Sequence, residues 1–137
     1  MNKKALAVIV LLIVAAAAAA IYFLVLAPAS VPVEAFSAYM PGDYVITNIK
    51  DSQYLIKATV VLEVNRPADD EEFYRYLEEN QHIIRDVIVM TLRSKTYDEL
   101  MAEDPKALLA DELITKINQK LQIDNVKDIY FADYVVN

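Results

Sequence analysis

The chain has 137 residues, a formal net charge of −7, one glycine, one histidine and no cysteine. The missing cysteine excludes a disulfide framework, a thiolate nucleophile and a cysteine-based zinc site. All 20 acidic residues, against 11 basic ones, lie from Glu34 onward, so the bulk of the chain lacks the basic face that nucleic-acid binding requires and is repelled by anionic head groups.

Residues 1–4 hold the only bases of the first 33 residues, Lys3 and Lys4. An uncharged run follows over residues 5–26, with Ala5, Ile9, Leu12, Ala16, Ala20, Phe23 and Leu26 spaced along it. As a helix it would be roughly 33 Å long, matching a hydrocarbon core of about 30 Å. Lysines before it and a net negative charge after it predict a cytoplasmic N-terminus and an extracytoplasmic C-terminal part. A cleaved signal peptide is the rival reading, because small residues stand at Ala27-Pro28-Ala29. The apolar run is, however, longer than the 7–15 residues typical of a signal peptide's apolar region. The six alanines at 15–20 fit either a plain anchor or a surface for close packing against another membrane helix.

Residues 27–43 read as a linker or stalk, stiffened by Pro28, Pro32 and Pro41. Its apolar residues Val31, Val33, Phe36, Tyr39 and Met40 are candidates for partner contact. The remainder, 44–137, reads as one domain. A strand is expected near 44–50, a turn near Asp51-Ser52, and a second strand over 54–65. There Tyr54, Ile56, Ala58, Val60, Leu62 and Val64 alternate with a mixed set, the pattern of a half-covered antiparallel hairpin strand.

Pro67 ends that strand, and the acids at 69–72 open a helix, with Asp69 or Asp70 as its cap. Phe73, Leu77, Ile84, Val87, Ile88, Thr91 and Leu92 form one stripe, and Tyr76, Ile83, Val87 and Met90 a second. Continuity of the first predicts a single long helix, with a strand over the β-branched half as competitor. Arg85-Asp86 interrupts this apolar run. The pair fits an exposed arc or pairing with neighbouring helices, or else an intersubunit or partner contact. Thr96 and Glu99 form a capping box, and Asp104-Pro105 starts a further helix with Leu109, Leu113, Ile117 and Leu121 on its buried side. A last strand runs from about Val126 to Val136, either paired with the hairpin or lying at an edge. The sum is an α+β fold, a small antiparallel sheet with packed helices, preceded by one transmembrane helix.

Chemistry is sparse. His82 has no second histidine or cysteine with which to build a metal or nucleophile site. One glycine cannot supply a phosphate loop or a nucleophile elbow. Neighbouring acids at 69–72 point to different sides of a helix, so they do not converge on one ion. No catalytic residue, metal site or cofactor is predicted.

The run Ile84-Arg-Asp-Val-Ile-Val-Met-Thr-Leu92, then Ser94-Lys95-Thr96 and Glu99-Leu100, resembles the flagellar basal-body-associated protein FliL family. So do Leu109, Glu112-Leu113, Ile117-Asn118 and Leu121, and the ending Ile129-Tyr130-Phe131 with Tyr134-Val135-Val136-Asn137. The short basic tail, single anchor, linker and outer domain fit as well. Three features depart from the family pattern: the four-residue tail, Asp104-Pro105 in place of a glycine turn, and Asn137 in place of a terminal glutamine. The resemblance implies a non-enzymatic accessory of the flagellar motor in the inner membrane, with a stomatin/prohibitin-like outer domain. It implies association with the basal body and with stator subunits (MotA/MotB-like), assembly as a homo-oligomeric ring around the stator, and support of torque and swarming. A membrane-anchored envelope sensor, or a stomatin-like scaffold without a flagellar role, is the alternative.

Overall fold

The computed structural model describes residues 3–22 and 35–137. The chain divides into two compact units, Met1–Val33 and Glu34–Asn137. The first holds helix α1 (Lys3–Ile21). Ile9, Leu12, Ala16 and Ala20 lie exposed on it, and Ala5 falls in its first turns. Among the described residues no helix is long and apolar enough to cross a membrane. Its uncharged part, from Ala5 to Ile21, is roughly 26 Å long against a hydrocarbon core of about 30 Å. Phe23 and Leu26, the rest of the predicted span, lie outside the described residues.

The second unit is organised by one strand. Ile56, Ala58, Val60, Leu62 and Val64 are buried at every second position, and their alternation makes β3 (Leu55–Val64) the centre of the sheet. β2 (Tyr44–Asn48) pairs antiparallel with the first half of β3, Tyr44 opposite Thr59 and Asn48 opposite Leu55. The expected hairpin is thus present, closed by Ile49 N–H donating to Tyr54 O at 3.2 Å, with Asp51 at φ 55 in the turn. β1 (Ser37–Tyr39) pairs with the other end of β3 on the same side, Tyr39 opposite Leu62. Residues 37–39, read as linker from sequence, are therefore part of the sheet. A three-residue strand has too few positions to show a period, which is why the pattern did not reveal it.

β4 (Val126–Val136) pairs along the whole opposite side of β3, which settles the open question of where the last strand lies. Two register shifts interrupt the pairing, leaving Lys127 and Ala132 as extra residues on β4. Ala132 lets Phe131 and Tyr134 point to the same side, where their rings meet edge to face at 5.7 Å.

The helices cover one face of this sheet. α2 (Glu71–Glu79) is capped by Asp70, whose carboxylate accepts from Phe73 N–H at 3.1 Å. The predicted single helix is broken: Asn80 separates α2 from α3 (Gln81–Arg93). Its backbone sits at φ −103, ψ 11, and its side-chain Nδ2 donates to Tyr76 O at 2.9 Å. An asparagine that bonds the preceding turn competes with the helical ladder. The buried stripe passes unbroken across the kink, so periodicity gave no sign of it. Phe73, Leu77, Ile84, Val87, Ile88, Thr91 and Leu92 are all buried, whereas Met90 of the second stripe is exposed. α4 (Tyr97–Leu100) begins at the Thr96–Glu99 capping box. α5 (Pro105–Leu121) begins at the Asp104 cap, with Pro105 at its first position and Leu109, Leu113, Ile117 and Leu121 in the core. Gln122, left-handed at φ 54, ends it. Asn118 then ties α5 to β4, its side chain donating to Val126 O at 2.8 Å and accepting from Val126 N–H at 3.1 Å.

Candidate interaction surface

The candidate contact residues do not form one patch. Val31 and Val33 lie outside the described residues. Phe36 and Met40 are 49% and 48% exposed, on either side of β1. Tyr39 between them turns into the core, packing at 6.3 Å from the Tyr74 ring. Its hydroxyl is buried without a hydrogen-bond partner among the described residues. Burial, reinforced by the nearby Glu78 carboxylate, pushes its pKa up to about 12; the Gln81 side chain is also close, but neither residue meets hydrogen-bond geometry. Strand β1 is tied further by Ser37, whose hydroxyl donates to Arg66 O at 2.6 Å and contacts the Tyr74 hydroxyl.

Arg85 works within the chain. From α3 its guanidinium reaches the connection between β1 and β2, donating to Pro41 O at 2.8 Å and to Tyr44 O at 3.2 Å. There the chain makes a tight turn about Pro41, with Gly42 N–H donating to Met40 O at 2.8 Å. Gly42 has φ +81, a conformation glycine adopts without penalty. The planar fork of Arg85 fits two carbonyls of one turn, a geometry lysine cannot reproduce. Asp86 points elsewhere. It is exposed and lines a shallow groove with Met90, Lys116 and Lys120.

A further groove of about 340 Å³ lies where α4 meets α5, floored by Leu100, Pro105 and Leu109. At its rim Glu112 bridges Lys95 at 2.5 Å and Lys116 at 2.6 Å. Burial alone would raise the Glu112 pKa. The hydrogen bonds and charges of the two lysines outweigh it and hold the carboxyl below its ordinary value. Lys116 also donates to the buried Thr91 hydroxyl at 3.3 Å. Among the described residues no three His, Asp or Glu side chains converge as metal ligands would.

The sheet face opposite the helices was not singled out from sequence. Tyr44, Ile46, Leu55 and Val135 project from it, each about half exposed. The available signal was the mixed set alternating with the buried one in β3. A strand whose outer face meets only water carries a polar set there.

These observations define a class: a small α+β domain on an antiparallel sheet, preceded in the chain by a separate apolar helix, with open surfaces on the sheet and between helices. The family model described as "Flagellar basal body-associated protein FliL" matches residues 39–136. The chain is also similar to the "Flagellar protein FliL" of Aquifex aeolicus (strain VF5), 26% identical over 112 residues, covering 80% of this chain and 67% of that protein. The chain belongs to the FliL family, and with it to the proteins associated with the flagellar basal body.

Proposed function

We propose that the chain is a non-enzymatic accessory of the flagellar motor, anchored in the inner membrane by residues 5–26 with its domain on the extracytoplasmic side. There it associates with stator units, self-associates into a ring around them and supports torque and swarming. The segment 31–40 is the proposed stator contact. The observation that carries this reading is how the first described segment of the domain is tied to its sheet. Residues 37–39, at the end of the expected linker, pair as β1 with the central strand, and Arg85 pins the turn that follows. Force arriving at β1 would therefore reach the core of the sheet.

Clean deletion should abolish or impair swarming on stiff agar more than swimming in dilute medium. The tagged chain should co-purify with stator subunits, and an alkaline phosphatase fusion at its C-terminus should be active. Normal motility under load together with absent co-purification would overturn the motor role. An inactive fusion would overturn the topology.

A further inference from the structure

The outer face of the sheet has two zones. In the first, Ile46, Lys57 and Val135 lie side by side across three strands, with Tyr44 and Leu55 beside them. Neighbours in such a row stand about 5 Å apart, so the apolar groups form one band. Lys57 is the one charge within the band, its ammonium held over the Tyr44 ring, 4.7 Å from the centroid. In the second zone the same face turns acidic. Glu63 and Asp128 are paired directly opposite each other across the strands, and Asp133 lies between them and the apolar band. Like charges directly opposite destabilise a sheet. None of the three acids has a Lys or Arg partner among the described residues. Among the described residues Glu63 accepts the Tyr130 hydroxyl at 3.1 Å, Asp128 the Ile129 N–H at 2.7 Å and Asp133 the Thr59 hydroxyl at 3.3 Å.

We propose that this face docks a basic segment of a partner protein, with apolar side chains on the Ile46–Val135 band and Lys or Arg over Glu63 and Asp128. This goes beyond the motor-accessory reading by assigning the surface and the chemistry of what it takes. The charge selects the occupant. A second copy would bring the same unpaired carboxylates against each other, and an anionic lipid surface is repelled. Addition of a strand at the β4 edge is a poorer fit, because the bulges at Lys127 and Ala132 twist that edge away from regular pairing. A cationic segment instead relieves the Glu63–Asp128 repulsion and covers the apolar band.

The test uses the full-length chain in living cells, with a photo-cross-linking benzoylphenylalanine at Ile46 or Val135 and, as a control, at Leu108 on the helical side. The expected result is a discrete adduct from the two sheet positions alone, whose cross-linked partner peptide is net basic. The double variant E63K/D128K should reduce its yield about tenfold or more, as expected for lost complementary charge. Both residues are partly exposed on the outer face, and unchanged protein level and melting temperature establish that the variant is folded. An adduct with a second copy, with lipid, or with a non-basic peptide overturns the proposal. So does no adduct, or a yield unmoved by charge reversal. Any of these alongside retained stator co-purification would leave the motor-accessory reading standing.

Discussion

A side chain at position 42 and the guanidinium of Arg85 would occupy the same space. A Cβ built on Gly42 falls 2.6 Å from Arg85 Nη1. The same nitrogen donates to Pro41 O, so the only glycine of the chain stands where the turn is left-handed and where the clamp needs room.

Gly42→Ala should therefore act twice, through backbone strain at φ +81 and by displacing Arg85. We expect a loss of about 1–3 kcal/mol, the usual scale for a strained residue. The two effects separate in a double-mutant cycle. With Arg85→Ala already in place the alanine at 42 should cost about 1 kcal/mol less, because the clash is gone and only the strain remains. Urea unfolding of the four proteins measures it. Strict additivity would mean that the clamp and the turn are independent.

Acid should weaken the unit through Glu112. Its folded-state pKa lies below the ordinary 4.5, since Lys116 and Lys95 favour the carboxylate more than burial disfavours it. A depressed folded pKa contributes stability that is complete above the unfolded value and disappears as pH falls through the folded one. Glu112→Gln should cost up to about 1 kcal/mol at pH 7, the upper range for a partly exposed ion pair. The difference between the two proteins should close as pH falls below 4.5 and through the depressed folded value. Stability measured by denaturant at several pH values decides it, and a gap constant with pH would contradict it.

The same residues show what periodicity can and cannot reveal. The burial of Ile56 to Val64, the capping box at Thr96 and the Asp104-Pro105 start were legible because each is a local rule obeyed locally. The break at Asn80 was not, because the stripe from Leu77 to Ile84 keeps its phase across the kink. The role of Arg85 was hidden for another reason: its partners, Pro41 O and Tyr44 O, are backbone atoms more than 40 residues away that carry no sequence signal. The outer sheet face was visible only as the apolar half of a mixed set. Its meaning depended on β4 bringing Val135 opposite Lys57 and Asp128 opposite Glu63.

Alkali should weaken the unit through two tyrosines. Burial pushes both Tyr39 and Tyr134 up to about 12, from an ordinary 10.0. A raised folded pKa means stability is complete below the unfolded value and is lost as pH rises from 10 toward 12. The two phenols differ at neutral pH. Tyr134 donates to Leu100 O at 2.9 Å, so Tyr134→Phe should cost about 1 kcal/mol. Tyr39 has no hydrogen-bond partner among the described residues, so Tyr39→Phe should be neutral or stabilising by up to about 1 kcal/mol, since a desolvated hydroxyl is removed. Each variant should also lose part of the alkaline decline. Denaturant titrations at pH 7 and across the alkaline range check both, and a clear loss at pH 7 for Tyr39→Phe would show that its hydroxyl is satisfied.

Ala132 stands outside the ladder. Beyond it, Asp133 and Val135 stand on the outer face, opposite Thr59 and Lys57, while Tyr134 and Val136 face inward, opposite Ala58 and Ile56. Strand periodicity is two, and only an unpaired residue between Phe131 and Asp133 lets Phe131 and Tyr134, three apart, share the inner face. Deletion of Ala132 should therefore remove the bulge and leave the ladder regular, with Asp133 still outward opposite Thr59 and Tyr134 still inward opposite Ala58. It should cost less than about 2 kcal/mol, mostly through the lost local twist of the bulge. Ala132→Gly keeps the bulge and should cost less than about 1 kcal/mol, because the extra position makes no ladder pair and its side chain is exposed. Urea unfolding of both variants measures this. A loss of about 4 kcal/mol or more for the deletion, the scale of gross packing faults, would mean that Asp133 is driven inward and that Ala132 is a paired residue of the strand and not its bulge.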